Sequence, residues 1–184
     1  MKFVTTVFLF LMFAQVSVAD TFEVAVTDSL GYEWSKEVGV YSNGCLSPDG
    51  RFSKLYCGIR KPDFRIYTEP ETSDATRVCE EMGAMLPTKY EFINLISSRI
   101  TTSNGEKTIF ETEKNSRGNT VLTLDGRVAF EQIFGDNDGF WTSTVGRDIS
   151  RTEDAAAFMY GSIVDSVQRN RELSVICIRP KANN

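Results

Sequence analysis

The chain has 184 residues, a net charge of -5, a sequence pI near 4.9 and no histidine. Histidine's absence excludes Ser-His-Asp and Cys-His catalysis, His-ligated metals and imidazole pH switching. The acidic balance, with no basic block interleaved with aromatics, argues against a nucleic-acid partner.

In chain order, residues 1–19 read as a secretory signal peptide. Lys2 supplies the positive start, Phe3 to Ala14 an apolar run shorter than a membrane span, and Ser17-Val18-Ala19 a small-x-small cleavage site. The expectation is a secreted, cell-surface or periplasmic product with no integral membrane segment in the mature chain. The ~165 residues that follow are enough for one domain with a real core. Export makes disulfides the default for Cys45, Cys57, Cys79 and Cys177. Four cysteines allow three connectivities; chain order favours Cys45–Cys57, stapling a local hairpin, and Cys79–Cys177, closing a long loop.

Residues 20–70 read as a β-rich, irregular extension. Phe22, Val24 and Val26 alternate with polar or small residues, Ser47-Pro48-Asp49-Gly50 is a turn, and residues 55–67 suggest a further short strand pair. A polar connector, Thr68 to Ser73, leads into the main unit, residues 71–184. Ser73 is the expected cap of a first helix, with Ala75, Val78, Cys79 and Met82 on one face and Gly83 as the stop. Thr88 and Glu91 have the spacing of a capping box at the start of a second helix, whose apolar stripe is Phe92, Ile93, Ile96 and Ile100.

Beyond Thr101 the pattern predicts short strands. They are expected at Thr108–Glu111, Thr120–Leu124 and Arg127–Phe130, the last two joined by a hairpin at Asp125-Gly126. Further strands are expected at Phe140–Thr144, at Ala155–Tyr160 with a turn at Gly161-Ser162, and at Leu173–Ile178, apolar on both faces and so central. The order is α+β: two helices packed on short antiparallel sheets, with a long loop region and two disulfides.

This order resembles the C-type lectin-like fold, in which a first-helix cysteine bonds one in the last strand, as Cys79 and Cys177 would. The stretch from Gly83 through Leu86-Pro87-Thr88 to Glu91 resembles a helix start shared by bacterial adhesin domains of the intimin and invasin type and, more distantly, formylglycine-generating-enzyme-like domains. Phe140 to Thr144, Ala157, Gly161 and Val175 to Arg179 resemble the tail of the adhesin group. The resemblance spans about residues 70 to 180. It implies a non-enzymatic recognition or adhesion module that binds an extracellular protein or glycan through loops between Cys79 and Cys177. The alternatives are a formylglycine-generating-type enzyme and a structural subunit or inhibitor. The calcium-dependent sugar motifs of the lectins are missing: Glu69-Pro70-Glu71 precedes the first helix, and Thr142 follows Trp141.

Candidate ligand contacts are Trp141, although such an aromatic run more often fills a core strand, and the mixed-charge loop residues Arg147, Asp148, Arg169 and Arg171. Asp136, Asn137 and Asp138 place alternating oxygens before Gly139, as in the opening of a calcium loop or an ordinary turn. No other cofactor is implied. Ser143 has no activating partner, and nothing fixes the separation of carboxylate pairs such as Glu111 and Glu113.

Overall fold

The computed structural model describes residues 21–43, 45–46, 52–53, 73–135, 138–145, 154–169 and 171–182. The expected signal peptide, the second strand pair at 55–67 and the Cys45–Cys57 pairing lie outside the described residues.

The chain opens with β1 (Val24–Thr27), β2 (Tyr32–Ser35), β3 (Gly39–Ser42) and the small hairpin β4 (Cys45–Leu46) with β5 (Phe52–Ser53). Helices α1 (Asp74–Glu81) and α2 (Lys89–Ser97) follow, then β6 (Arg99–Thr102), β7 (Lys107–Ile109), β8 (Thr112–Lys114) and β9 (Thr120–Leu122). Helix α3 (Leu124–Phe134) precedes β10 (Phe140–Val145), β11 (Asp154–Met159), β12 (Ser162–Gln168), β13 (Glu172–Val175) and β14 (Ile178–Pro180). This is an α+β architecture. Among the described residues, no helix is long and apolar enough to cross a membrane.

Two five-stranded sheets organise it. The first runs β14-β2-β1-β6-β7 and the second β12-β11-β10-β13-β3; β10 and β13 pair parallel, and the other strand pairs are antiparallel. The strand period of two sends successive side chains of β10 and β11 to opposite faces. Phe140 and Phe158 enter one core, with Trp34, Phe92, Phe130 and Phe134. Trp141, Ala155 and Ala157 enter the other, with Ala75, Val78 and Cys79 of α1. The second sheet therefore lies between α1 on one face and α2 and α3 on the other. In the larger core, Phe92 stacks on Phe158 at 5.0 Å and meets Trp34 edge-on at 5.3 Å.

The helix starts follow from their caps. Ser73 Oγ accepts from Thr76 N at 3.1 Å, and Thr88 with Glu91 forms a complete capping box. Buried Cys79 bonds Cys177 as expected. Ile100, expected on the helix stripe, instead lies in β6, and Leu95 joins Phe92 and Ile96 on the buried face. In β1 the expected alternation is interrupted by a bulge between Val24 and Val26, so the adjacent Ala25 and Val26 are both buried.

Two expectations are corrected. The described residues form three helices rather than two, because residues 124–134, with 124–130 expected in a hairpin, form α3. Thr123 Oγ1 accepts from Gly126 N at 3.1 Å, and Phe130 and Phe134 stand one turn apart in the core. Gly126 serves close packing: a Cβ there would lie 2.0 Å from the Glu111 carbonyl oxygen. The last apolar run is not one strand either. It divides into β13 in the second sheet and β14 at the edge of the first, crossing between them at Ile176 and Cys177. Both faces of the run are apolar because it passes between the two cores.

Candidate functional site

An open cleft of about 360 Å³ lies between the start of α2, the β8–β9 hairpin and β12. Its lining includes Lys89, Tyr90, Ile93, Asn119, Thr120 and Asp165. A second pocket, between α3 and the β11–β12 turn, measures only about 30 Å³, the scale of a single water.

Local structure builds each wall. Lys89 and Tyr90 occupy the first turn of α2, directly after the Thr88 cap. That helix start is tied to the second sheet, because Lys89 N donates to Thr144 Oγ1 at 3.0 Å. Thr144 is placed by an irregularity in β10: Trp141 pairs with Ala157 and Val145 with Ala155, leaving extra residues on β10 between them. Within it, Thr142 Oγ1 donates to Ala156 O at 2.7 Å and accepts from Thr144 N at 3.2 Å.

A second bulge places Asp165. Val164 pairs with Ala157 and Val167 with Ala155, so β12 carries one extra residue at Asp165–Ser166. Bulges of this kind re-aim side chains. Asp165 Oδ1 lies 2.9 Å from Lys89 Nζ, and the Lys89 ammonium is 5.5 Å from the Tyr90 ring centroid. The facing wall is the turn joining β8 to β9. Asn115 Oδ1 accepts from Arg117 N and Asn119 N, and Gly118 takes a left-handed φ of 76°. Lys114 stands directly opposite Thr120, and its ammonium donates to the Thr120 hydroxyl at 2.7 Å.

The arrangement has an aliphatic floor in the partly buried Ile93 and Ile163, a 62% exposed tyrosine, an ion pair and a rim of amides and hydroxyls. It can stack a ring and meet its edge with donors and acceptors.

The candidates expected from sequence fall elsewhere. Trp141 is 0% exposed in the smaller core, and its Nε1 donates to Tyr41 O at 2.8 Å, so its ring offers no face to an outside ligand. Arg169 is also buried. Its Nε donates to Asn43 O at 2.6 Å, and desolvation pushes its pKa down to about 10. Asn43 ties this region together: its Nδ2 donates to Thr142 O at 3.0 Å and its Oδ1 accepts from Ser73 Oγ at 2.9 Å. Arg171 is on the surface, 3.9 Å from Asp138. Arg147, Asp148, Asp136 and Asn137 lie outside the described residues. Among those described, no three acidic, cysteine or histidine side chains converge as a metal site would require. Ser143 is buried on β10.

Sequence reasoning did not single out Lys89, Tyr90 or Asp165 as site residues. The available signal was Tyr90, a large aromatic in the first turn and off the apolar stripe of α2. No family model matches this chain, and no curated protein or solved structure matches it.

Proposed function

We propose that this chain is an exported, non-enzymatic recognition module of the C-type lectin-like kind, binding a protein or glycan through the Lys89–Tyr90–Asp165 cleft. The observation that carries this reading is the exposed Tyr90 ring beside an ion-paired cleft with an aliphatic floor. Concave sites with an apolar surface and a few convergent polar groups are where ligands bind. Exposed tyrosines carry much of the energy in recognition surfaces. The α+β order and the tie from first helix to final strands support the lectin-like part of the reading. The cleft residues lie between the two bonded cysteines, on a scaffold that fixes them.

The formylglycine-generating alternative needs a reactive thiol late in the chain. Cys177 is fully buried and bonded to Cys79, which counts against it.

The test is a paired screen of a glycan array and a panel of extracellular proteins, using wild type and Tyr90→Ala, with and without a chelator. A ligand bound by wild type and lost in Tyr90→Ala is the expected result. No ligand above background in either screen would overturn the reading. The chelator arm decides whether calcium takes part.

A further inference from the structure

Resting on that reading, we infer that the cleft accepts a carboxylate-bearing sugar unit, held by protein side chains alone. Three observations lead there. First, the charges around the cleft do not balance. Lys89 is matched by Asp165, but the Lys114 ammonium is drawn to the rim by the Thr120 hydroxyl. Among the described residues, no carboxylate pairs with Lys114. Among the described residues, one ion pair thus lines the cleft and a second ammonium, that of Lys114, stands 2.7 Å from the hydroxyl of the lining residue Thr120, in a chain whose overall charge is -5. A ligand carboxylate complements the surplus and gains charge-assisted hydrogen bonds.

Second, the lining suits a compact ring. Tyr90 contributes a largely exposed ring to the lining, Ile93 and Ile163 form the floor, and Asn119, Thr120 and Ser162 supply polar groups at the edge. Asp165 accepts from ligand hydroxyls while remaining beside Lys89. The cleft's volume of about 360 Å³ sits at the lower end of the ~300–1,000 Å³ range of small-molecule sites.

Third, the wall that a peptide would use is blunted. β12 is the outermost strand of its sheet, where an extended segment could add by pairing. Its bulge at Asp165–Ser166 breaks the regular edge that strand addition needs. The same bulge turns the strand's carboxylate toward Lys89. The geometry favours side-chain recognition of a ring over main-chain recognition of a peptide.

The test titrates the purified protein with glucuronate, glucose and glutamate, following amide chemical shifts in the presence of a chelator. Glucuronate is expected to shift resonances around Lys89, Tyr90, Thr120 and Asp165, with glucose and glutamate far weaker. Lys114→Ala is expected to weaken glucuronate roughly tenfold, the effect of one lost charge-assisted hydrogen bond. It should leave glucose unchanged. Lys114 is exposed on a hairpin, and an unchanged thermal midpoint will confirm that the variant folds. Equal binding of glucose and glucuronate, or a Lys114→Ala variant with wild-type affinity, overturns the acidic ligand. Glutamate matching glucuronate overturns the sugar. A neutral glycan or a protein captured in a Tyr90-dependent way overturns this inference and leaves the recognition module standing. Silence in every titration and screen overturns both.

Discussion

The two sides of the second sheet are built on opposite principles. On the α1 side, polar groups are consumed internally: Asn43 serves Ser73, Thr142 and Arg169, the Trp141 indole bonds Tyr41, and the Cys79–Cys177 bridge closes the layer. On the α2 side, Lys89 and Asp165 meet at a solvent-open cleft, and Tyr90 is left largely exposed. The first arrangement fixes one conformation, because a buried polar group that loses its partner carries a full desolvation cost. The second keeps donors, acceptors and a ring within reach of a ligand. Binding chemistry is therefore to be expected on the open side, with stability concentrated on the closed one.

The largest expected effect separates the two sides directly. Cys79 and Cys177 are 98 residues apart, and closing a loop of that size constrains the unfolded chain by about 4.7 kcal/mol in the chain-entropy account. Replacing both by alanine is expected to lower the thermal midpoint by roughly 10–20 °C, at ~2–4 °C per kcal/mol for a domain of this size. Below the new midpoint, ligand binding should match wild type, since the bridge does not touch the cleft. A change of less than a few degrees would show that the bridge is not the dominant staple. Binding lost in the folded variant would show that the two sides are coupled.

The next effect is smaller and more local. Asn43→Ala leaves Thr142 O without its Asn43 donor in a buried environment and removes one of the two acceptors near Ser73 Oγ, the other being Thr76 Oγ1 at 2.9 Å. A loss of about 1–3 kcal/mol is expected, read as a lower urea midpoint with an unchanged slope. Thr142 also belongs to the β10 irregularity that carries Thr144 toward α2. Reduced ligand affinity in this variant would therefore reveal transmission through β10, and unchanged affinity would sharpen the division.

How far the sequence could show this division depends on the range of the signals. Local chemistry was legible: the Ser73 and Thr88 caps start α1 and α2 where their side chains satisfy free backbone donors. The Cys79–Cys177 bond was legible because one cysteine sat on a helix's apolar face and the other in an apolar run. Asp125-Gly126 misled, since the same dipeptide suits a hairpin turn and a first helical turn. Deciding between them required knowing that Phe130 and Phe134 share a core and that Glu111 leaves no room for a Cβ at position 126. The Leu173–Ile178 run misled for a related reason, since burial on both faces does not reveal that consecutive residues join different sheets. The cleft was least legible. Asp165 faces Lys89 across a bulge that exists only relative to β11, and the pair is 76 residues apart in sequence. Trp141, the most conspicuous aromatic candidate, is enclosed, whereas Tyr90, inside the capping-box turn of α2, is exposed.

The smallest stability effect carries the most functional information. Tyr90 is 62% exposed, and its contact with the Lys89 ammonium is of the kind worth about 0.5–1 kcal/mol at exposed sites. The Lys89–Asp165 pair is only partly buried, so its contribution is of the same modest order. Tyr90→Ala is accordingly expected to shift the denaturation midpoint by less than about 1 kcal/mol while abolishing ligand binding. Tyr90→Phe, which keeps the ring and removes the hydroxyl, should retain most of the affinity if stacking dominates. If Tyr90→Ala were instead to unfold the protein, the ring would belong to the scaffold, and the contrast between a closed and an open side of the sheet would fail at the residue on which it most depends.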